Sequence, residues 1–236
     1  MQLIYGKPVA EKILAETKRR ISQAGVTPGL AVILVGDDAP SHLYVGLKER
    51  AAQEAGIHFE KFLFLESADV EEIFRCIDKQ NDRLDIHGII VQLPLPEGFP
   101  TDEIIARIAP RKDTDGFHQE TLRYFLMGDF NACPVFPRAI VELLRETGER
   151  FHGEKGLVLA NSEMLGKVMA QALTLQGLKA EYVVNPRGGE DVVKKFLLGP
   201  LKEDELKEIK KLSKTISEIL VTLSSESKEK AMSIYN

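Results

Sequence analysis

Three side chains that could line one wall of a cleft occur within residues 41–48, which read SHLYVGLK. Ser41, Tyr44 and Lys48 are spaced i, i+3 and i+7, so on an α-helix they fall on one narrow face. An amine partly withdrawn from water can transfer protons near neutral pH, because burial disfavours its charged form. The spacing therefore indicates a proton-handling lysine beside a hydroxyl and a phenol. A surface helix with a solvated lysine satisfies the same spacing.

The helix that carries these residues is predicted to begin at Ser41, an N-cap residue type that follows a turn-like loop at 37–40. Gly56 is expected to end it. Its apolar stripe is predicted to consist of Leu43, Leu47 and Ala51.

Short apolar runs alternate with helix-period segments through the first half of the chain. The run 30–35 is closed by Gly36 and is typical of a strand buried on both faces of a parallel sheet. The order predicts an α/β fold with crossover connections. The predicted helices and strands are helix 8–24, strand 30–35, strand 58–65, helix 70–82 and strand 86–93.

Gln92 lies at the end of the third predicted strand, which Pro94 and Pro96 stop abruptly. Ligands of open parallel sheets bind beyond the carboxyl ends of the strands. Gln92 and the loop before the Ser41 helix are therefore well placed for a site. A polar strand end satisfied by water or backbone is the alternative for Gln92.

A polar loop follows a short predicted helix at 101–109, for which Thr101 is the expected cap. Within it, the carboxylate of Asp115 could accept paired N–H donors from an amidine-like ring edge. The Asp-x-Asp-Gly pattern of 113–116 also fits a turn or a partial calcium loop, but the full calcium-loop pattern is not continued. No metal site is predicted, and Cys76 and Cys133 match no zinc spacing.

The second half of the chain predicts a βαβαβ order, which is one mononucleotide-binding half of a Rossmann domain. A linking helix at 137–147 precedes it. The predicted strands are 157–159, 180–184 and 219–223, and the predicted helices are 166–175, 191–198 and 203–215. The predicted domains are an N-terminal αβα catalytic domain at 1–136, a linking segment at 137–150, an incomplete Rossmann-like parallel sheet domain at 151–223 and a polar tail at 224–236.

The composition of the 236-residue chain bounds its class. A formal net charge of −5 argues against broad attraction to nucleic acid or anionic membrane. The start of the chain lacks the pattern of a signal peptide, and no apolar stretch is long enough to span a bilayer. Two distant cysteines favour a reducing compartment. A cytoplasmic location is the expectation.

Four segments together resemble the bifunctional methylenetetrahydrofolate dehydrogenase/methenyltetrahydrofolate cyclohydrolase family. The segments are 28–36 (PGLAVILVG), 41–48 (SHLYVGLK), 88–96 (GIIVQLPLP) and 112–118 (KDTDGFH). Each alone is weak, whereas all four in this order are specific. The resemblance covers residues 1–185 well and continues loosely to Leu223.

The resemblance implies roles for the site residues. Lys48 would handle protons when water adds to the methenyl carbon, and Gln92 would orient it. Tyr44 would complete this catalytic group and pack against the folate rings. Asp115 would grip the amino-pyrimidine edge of the pterin. Three further residues would contact or support the substrate: Ser41, Leu93 and Pro94.

The chain departs from the family pattern in three places. Residues 134–137 read PVFP where the family has Pro-Cys-Thr-Pro, so Phe136 alters the wall of the cleft. In the dinucleotide loop 160–168, Ala160 replaces the first Gly of the family pattern and Asn161 replaces its Arg. Glu163 adds a negative charge near the phosphates. Further sheet strands and a Pro-Gly-Gly-rich loop of the family are not recognisable after residue 223. The predicted cofactor-binding residues are Ala160, Asn161, Ser162, Gly166 and Arg187. Arg187 or Lys167 could replace the family Arg, and either could equally be a solvated surface cation.

The implied activity belongs to one-carbon metabolism, which feeds purine biosynthesis. It is NADP-dependent oxidation of 5,10-methylenetetrahydrofolate to 5,10-methenyltetrahydrofolate, followed by hydrolysis to 10-formyltetrahydrofolate, with NAD as the other possible cofactor. A homodimer is expected from the family likeness and the uncovered sheet edge. The divergent loop leaves a cyclohydrolase or folate-binding protein without dehydrogenase activity as an alternative. A non-catalytic assembly partner is the third interpretation.

Overall fold

The computed structural model describes residues 4–184. Five predictions fall outside this range: Arg187, the helices at 191–198 and 203–215, the strand at 219–223 and the tail. The chain divides into two compact units, Met1–Leu159 with Glu163–Tyr182, and Ala160–Ser162 with Val183–Asn236. The division of the chain into four domains stays a prediction.

The first unit is built on a parallel three-stranded sheet with the order β2-β1-β3. The strands are β1 (Gly29–Val35), β2 (His58–Phe64) and β3 (Gly88–Val91). In register, Val32 of β1 lies opposite Lys61 of β2 and Ile90 of β3. Because β1 is the central strand, its residues are buried almost without interruption, which confirms the predicted α/β fold with a parallel sheet.

Helices cover both faces of this sheet. On one face, Val45 of α2 (Ala39–Ala55) packs against Val32 and Leu34, and α1 (Gly6–Ala24) packs against α2. On the other face, α3 (Val70–Asp82) and α4 (Thr101–Ala106) pack against Ile33 and its neighbours. Successive side chains of β1 therefore belong alternately to two separate apolar clusters, one on each face of the sheet.

The predicted start and apolar stripe of α2 are wrong. The helix begins at Ala39 and its N-cap is Asp38, because Pro40 needs no hydrogen-bond partner in the first turn. The buried face carries mostly small residues, which allow a close approach to the sheet. Leu43 and Leu47 are about half exposed, at 57% and 47%. The buried residues of α2 are Ser41, Val45, Ala52 and Ala55.

Other predicted boundaries move as well. The helix predicted at 101–109 ends at Ala106, its N-cap is Pro100 and not Thr101, and a 3-10 turn follows at Pro110–Lys112. The linking helix α6 is Val135–Arg145, and β3 is shorter than predicted. The sequence analysis missed α5 (Gln119–Leu126), which His118 caps by accepting a hydrogen bond from the backbone N–H of Glu120.

The remaining described elements are β4 (Lys155–Ala160), α7 (Glu163–Thr174) and β5 (Lys179–Val184), and β4 pairs with β5. Helix α7 begins three residues before its predicted start. An apolar cluster joins three helices of the first unit: Phe125 from α5, Val141 from α6, and Val168 with Ala172 from α7.

In the described part of the chain, no helix combines the length and the apolar character that crossing a membrane requires.

Candidate functional site

Lys48 and Gln92 meet across the gap between α2 and the end of β3. Lys48 Nζ donates a hydrogen bond to Gln92 Oε1 at 3.1 Å. Gln92 Nε2 donates to the carbonyl oxygen of Leu93 at 2.7 Å, which turns the amide oxygen towards the lysine. The backbone N–H of Gln92 also donates to the carbonyl of Ile33 at 2.8 Å, so the residue is held at the sheet. The lysine is half-buried and its ammonium has a fixed acceptor.

Ser41 is in the first turn of α2 and is almost fully buried, at 2% exposure. The carboxylate of Asp38 accepts hydrogen bonds from both Ser41 N at 2.9 Å and Ser41 Oγ at 2.7 Å. These bonds hold the pKa of Asp38 below its usual range. Ser41 therefore fixes the first turn of the helix that carries Lys48, and a direct contact with a ligand stays a prediction.

Tyr44 lies one helical turn before Lys48 and has 57% of its surface exposed. Residues four apart on a helix are neighbours on its surface, so the ring borders the lysine. An exposed aromatic ring beside a half-buried amine provides a flat apolar surface for a ring system.

The loop that carries Asp115 is tied to the sheet and to the start of α6. Thr114 Oγ1 donates to the carbonyl of Ile89 at 3.0 Å, and Asp113 forms a parallel bridge with Ile89. The backbone N–H of Val135 donates to the carbonyl of Asp115 at 3.2 Å. At Gly116, where φ is +78°, an added Cβ would lie 2.7 Å from Pro134 Cα, so this close approach requires glycine.

The carboxylate of Asp115 has no hydrogen-bond partner within residues 4–184, although it is partly buried. It lines a small crevice with Ile90 and Val91, which precede Gln92 on the chain. Burial raises the pKa of Asp115 above its ordinary value, and the ammonium of Lys48 opposes that shift. The Lys48 ammonium therefore favours the charged form of Asp115. Lys48 and Gln92 are joined directly, and Asp115 lies beside the strand end that precedes Gln92.

Leu93 and Pro94 follow Gln92 directly, joined by a cis peptide bond. Leu93 packs against the apolar cluster on the α3 face of the sheet, whereas Pro94 is exposed. Their contact with a substrate stays a prediction.

Of the predicted cofactor residues within 4–184, Ala160, Asn161 and Ser162 directly precede α7 on the chain, and Gly166 is part of α7. Ala160 is buried at 4% exposure, whereas Asn161 and Ser162 are exposed. Within the first unit, a Cβ added at Gly166 would lie 2.5 Å from Tyr182 Cδ2, so α7 and β5 approach closely at this glycine. Close helix–strand packing is the role of the third glycine in dinucleotide-binding loops. Tyr182 Oη donates a hydrogen bond to the carboxylate of Glu163, the first residue of α7.

Sequence reasoning missed three residues that build the site. Asp38 caps α2, Asp113 accepts backbone hydrogen bonds around Asp115, and Lys112 is buried at 7% exposure. For Asp38 the signal was an Asp two residues before Pro40, since Asp is a preferred N-cap and Pro suits the first turn. For Asp113 the signal was the tendency of Asp to bond the backbone ahead of it. Nothing in the sequence pattern distinguished Lys112 from a solvated lysine.

The fold and these groups define an α/β protein whose cleft can move a proton and bind paired hydrogen-bond donors. A family profile described as tetrahydrofolate dehydrogenase/cyclohydrolase, catalytic domain, matches residues 4–115. The chain is 39% identical to Bifunctional protein FolD of Methanosarcina mazei, over 73% of this chain and 61% of that protein. It is 39% identical to Bifunctional protein FolD of Bacillus subtilis, over 76% of this chain and 65% of that protein.

Solved structures agree with this assignment. The crystal structure of the bifunctional enzyme FolD, a methylenetetrahydrofolate dehydrogenase/cyclohydrolase from Campylobacter jejuni, matches with a TM-score of 0.72 and 31% identity, covering 78% of this chain and 67% of that one. The FolD of Trypanosoma brucei, solved with NADP cofactor and an inhibitor, matches with a TM-score of 0.71 and 27% identity, covering 78% and 64%.

The chain belongs to the tetrahydrofolate dehydrogenase/cyclohydrolase family, which confirms the resemblance found in the sequence. It spans less than two thirds of the length of the two curated relatives, at 61% and 65%.

Proposed function

We propose that this chain binds a reduced folate and carries both family activities in one-carbon metabolism. These are NADP-dependent oxidation of 5,10-methylenetetrahydrofolate to the methenyl form and hydrolysis of the methenyl form to 10-formyltetrahydrofolate. The observation that carries the proposal is the 3.1 Å hydrogen bond between Lys48 Nζ and Gln92 Oε1. The partly buried Asp115 carboxylate, whose raised pKa the Lys48 ammonium counteracts, supports it.

In the hydrolysis step, the oxygen of water adds to the electrophilic methenyl carbon and the carbon–N5 bond then breaks. As the formyl group forms, one proton of the added water goes to the released N5 and the other leaves to solvent, and Lys48 is the amine that would exchange them. Gln92 holds the amine in position because its own amide nitrogen is already engaged by Leu93. Tyr44 would pack against the folate rings beside it.

Asp115 would bind the amino-pyrimidine edge of the pterin. Its carboxylate is partly desolvated and has no protein donor within residues 4–184, so paired N–H donors from a ligand would satisfy it. Hydrogen bonds that involve an ionised group contribute about 1.5–3 kcal/mol each.

The β4–α7–β5 segment supports the dehydrogenase half. A strand, a helix and a paired strand in this order are the framework of a dinucleotide site, and Gly166 provides the close packing that such a helix needs. Asn161 and Ser162 would hold the nucleotide phosphates, with Arg187 as a further cation. When bound, the nicotinamide would accept the hydride from the folate methylene carbon. NADP is the proposed nucleotide and NAD the alternative.

One observation favours a second function, which is hydrolysis or folate binding without oxidation. The carboxylate of Glu163 occupies the first turn of α7, where it is held by Tyr182. A negative charge at a helix N-terminus opposes the binding of phosphate there. Ala160, which replaces the first glycine of the family loop, adds a buried Cβ before this turn.

We also propose a cytoplasmic homodimer that contributes one-carbon units to purine biosynthesis. Free Cys76 and Cys133 suit a reducing compartment. The dimer rests on the family likeness, and light scattering at micromolar concentration tests it, since a monomer alone would contradict it.

Two separate signals test the function. The protein is incubated with methylenetetrahydrofolate and NADP or NAD, and the absorbance of the reduced nicotinamide is followed. Decay of the methenyl chromophore is followed in a second assay without nucleotide. Both signals are expected. Chromophore decay alone would select the second function, and the absence of both signals together with no folate binding in calorimetry would reject both enzymatic proposals and leave the assembly partner.

A further inference from the structure

We infer that Asp113 is a positioning residue that shapes the folate-binding loop around Asp115, an inference that rests on the proposed folate site. The Asp-x-Asp-Gly pattern alone does not distinguish the two aspartates, but their surroundings do. Both carboxylate oxygens of Asp113 accept hydrogen bonds from the protein, whereas within residues 4–184 the carboxylate of Asp115 has no donor and is available to a ligand.

Both oxygens of the Asp113 carboxylate accept backbone hydrogen bonds on the far side of Asp115. Oδ1 accepts from Gly116 N at 3.0 Å, and Oδ2 accepts from His118 N at 2.9 Å. The chain therefore folds back at residues 114–117, and the carboxylate of Asp113 holds this turn by its two hydrogen bonds. Asp115 lies inside this turn, and Gly116 provides the positive φ that closes it.

The geometry requires a carboxylate and not merely a polar side chain. Asparagine has a single acceptor oxygen, and its amide nitrogen would face a second N–H donor. Replacement of Asp113 by Asn therefore leaves either Gly116 N–H or His118 N–H without its acceptor. The loop keeps its other attachments, since Thr114 remains bonded to Ile89 and the Asp115 carbonyl to Val135.

The charge of Asp113 also acts on Asp115. The two charged groups that act on Asp115 within residues 4–184 are Lys48 on α2, which lowers its pKa, and Asp113 on the same loop, which raises it. Removal of the Asp113 charge therefore shifts the ionisation of Asp115 to lower pH. A residue that served only to stabilise the fold would not produce this shift.

The test compares Asp113→Asn with Asp129→Asn in the full chain. Asp129 is a matched control because it also bonds a backbone N–H ahead of it, that of Asn131 at 2.9 Å, in a turn that does not contain Asp115. Methenyl hydrolysis is measured from pH 4 to 8, about the range in which a perturbed carboxyl titrates, with KM and kcat separated and Tm recorded. Asp113→Asn is expected to raise the folate KM at least about tenfold, the cost of one hydrogen bond to a charged group. Its kcat should stay within about twofold, because the Lys48–Gln92 pair is untouched.

The same variant is expected to move the acid limb of 1/KM to lower pH, while Asp129→Asn leaves both KM and its pH profile unchanged. If Asp113→Asn does not fold, Asp113→Glu replaces it, because the longer side chain keeps the charge but displaces both oxygens. Asp113→Glu is then expected to raise KM by a similar factor without the pH shift.

An unchanged KM in the folded Asp113 variant, or a loss of kcat with KM preserved, overturns the inference while wild-type hydrolysis leaves the proposed function standing. Parallel losses in the Asp113 and Asp129 variants, matched by lowered Tm, overturn it as well. A wild-type chain that neither binds nor hydrolyses the methenyl folate removes the proposed function and this inference together.

Discussion

The Asp115 loop and the first turn of α7 each present a carboxylate, and the two carboxylates are in opposite situations. Asp115 is partly buried and has no hydrogen-bond donor within residues 4–184, whereas the carboxylate of Glu163 is exposed and already bonded to Tyr182. A desolvated carboxylate without a partner gains from binding a ligand, and a satisfied one at a helix start opposes an anion. The contrast teaches that the polar groups of a family motif most able to bind a ligand are those without a hydrogen-bond partner in the protein itself.

The largest effect is expected at Lys48. Lys48→Ala should lower methenyl hydrolysis by about 10²–10⁴-fold, the usual contribution of a positioned acid–base group, with folate binding largely kept. Rate and calorimetric affinity are measured side by side. Lys7→Ala is the control, since Lys7 is an exposed helical lysine paired with Glu11. Wild-type hydrolysis in Lys48→Ala would rule out the proposed proton transfer.

Asp115→Asn should raise the folate KM roughly 10–100-fold, because it removes a charged acceptor worth about 1.5–3 kcal/mol per hydrogen bond. In the wild type, KM should rise as pH falls through the raised pKa of Asp115, since the protonated form accepts fewer hydrogen bonds. Steady-state kinetics over this range is the measurement. Asp102→Asn, at an exposed position of α4, should match the wild type.

The raised pKa of Asp115 also predicts how stability depends on pH, and in this test the loss of the carboxylate is expected to stabilise the protein. A carboxyl whose pKa is higher in the folded state binds more protons there, so the free energy of unfolding falls as pH rises from its ordinary pKa through the raised one. Asp115→Asn should therefore be more stable than the wild type at neutral pH, and the difference should vanish below the ordinary pKa. Urea unfolding of both proteins, at neutral pH and below the ordinary pKa of a carboxyl group, measures the difference in free energy of unfolding. Equal stability at neutral pH would contradict a raised pKa for Asp115.

Gly166→Ala should destabilise the protein by about 1–3 kcal/mol, the usual cost of forcing a methyl group into a packed contact. The added Cβ would lie 2.5 Å from the Tyr182 ring. Gly46→Ala is a matched control on α2, where nothing lies within 4 Å of the new Cβ, and it should gain about 0.5–1 kcal/mol. Thermal and urea unfolding compare the two variants, and equal stabilities would show that the close approach is absent.

The smallest effect is expected at Glu163. Glu163→Gln keeps an acceptor for Tyr182 but removes the charge, so affinity for NADP should rise roughly two- to fivefold, in line with about 0.3–1 kcal/mol for a charge at a helix terminus. Nucleotide binding is followed by calorimetry, with Glu149→Gln as an exposed control. No gain in affinity would mean that Glu163 does not limit the nucleotide.

Sequence reasoning located the sheet because β1 is apolar on both faces, a pattern that few other structures produce. It also proposed Lys48, Gln92 and Asp115 as site residues, and Gln92 was chosen because ligands bind beyond the carboxyl ends of parallel strands. The hydrogen bond between Lys48 and Gln92 agrees with that placement, and the roles of the three residues stay predictions. It misplaced the start of α2, since Asp38 and Ser41 are both good caps and only the fold decides between them. It missed α5 because this helix has only eight residues, fewer than the window of about 11–18 residues over which helical periodicity is read.

Lys112 links the site to the end of α3. Its Nζ donates to the carbonyls of Gln80, Asn81 and Arg83 at 2.8, 2.8 and 2.6 Å, as the next helical turn would have done. The position of the last turn of α3 therefore helps to fix Lys112 and the loop after it, which carries Asp115. One residue inserted into α3 would rotate its last carbonyls by about 100° and detach the ammonium, so a change far from the cleft would loosen Asp115 without altering any residue that touches a ligand.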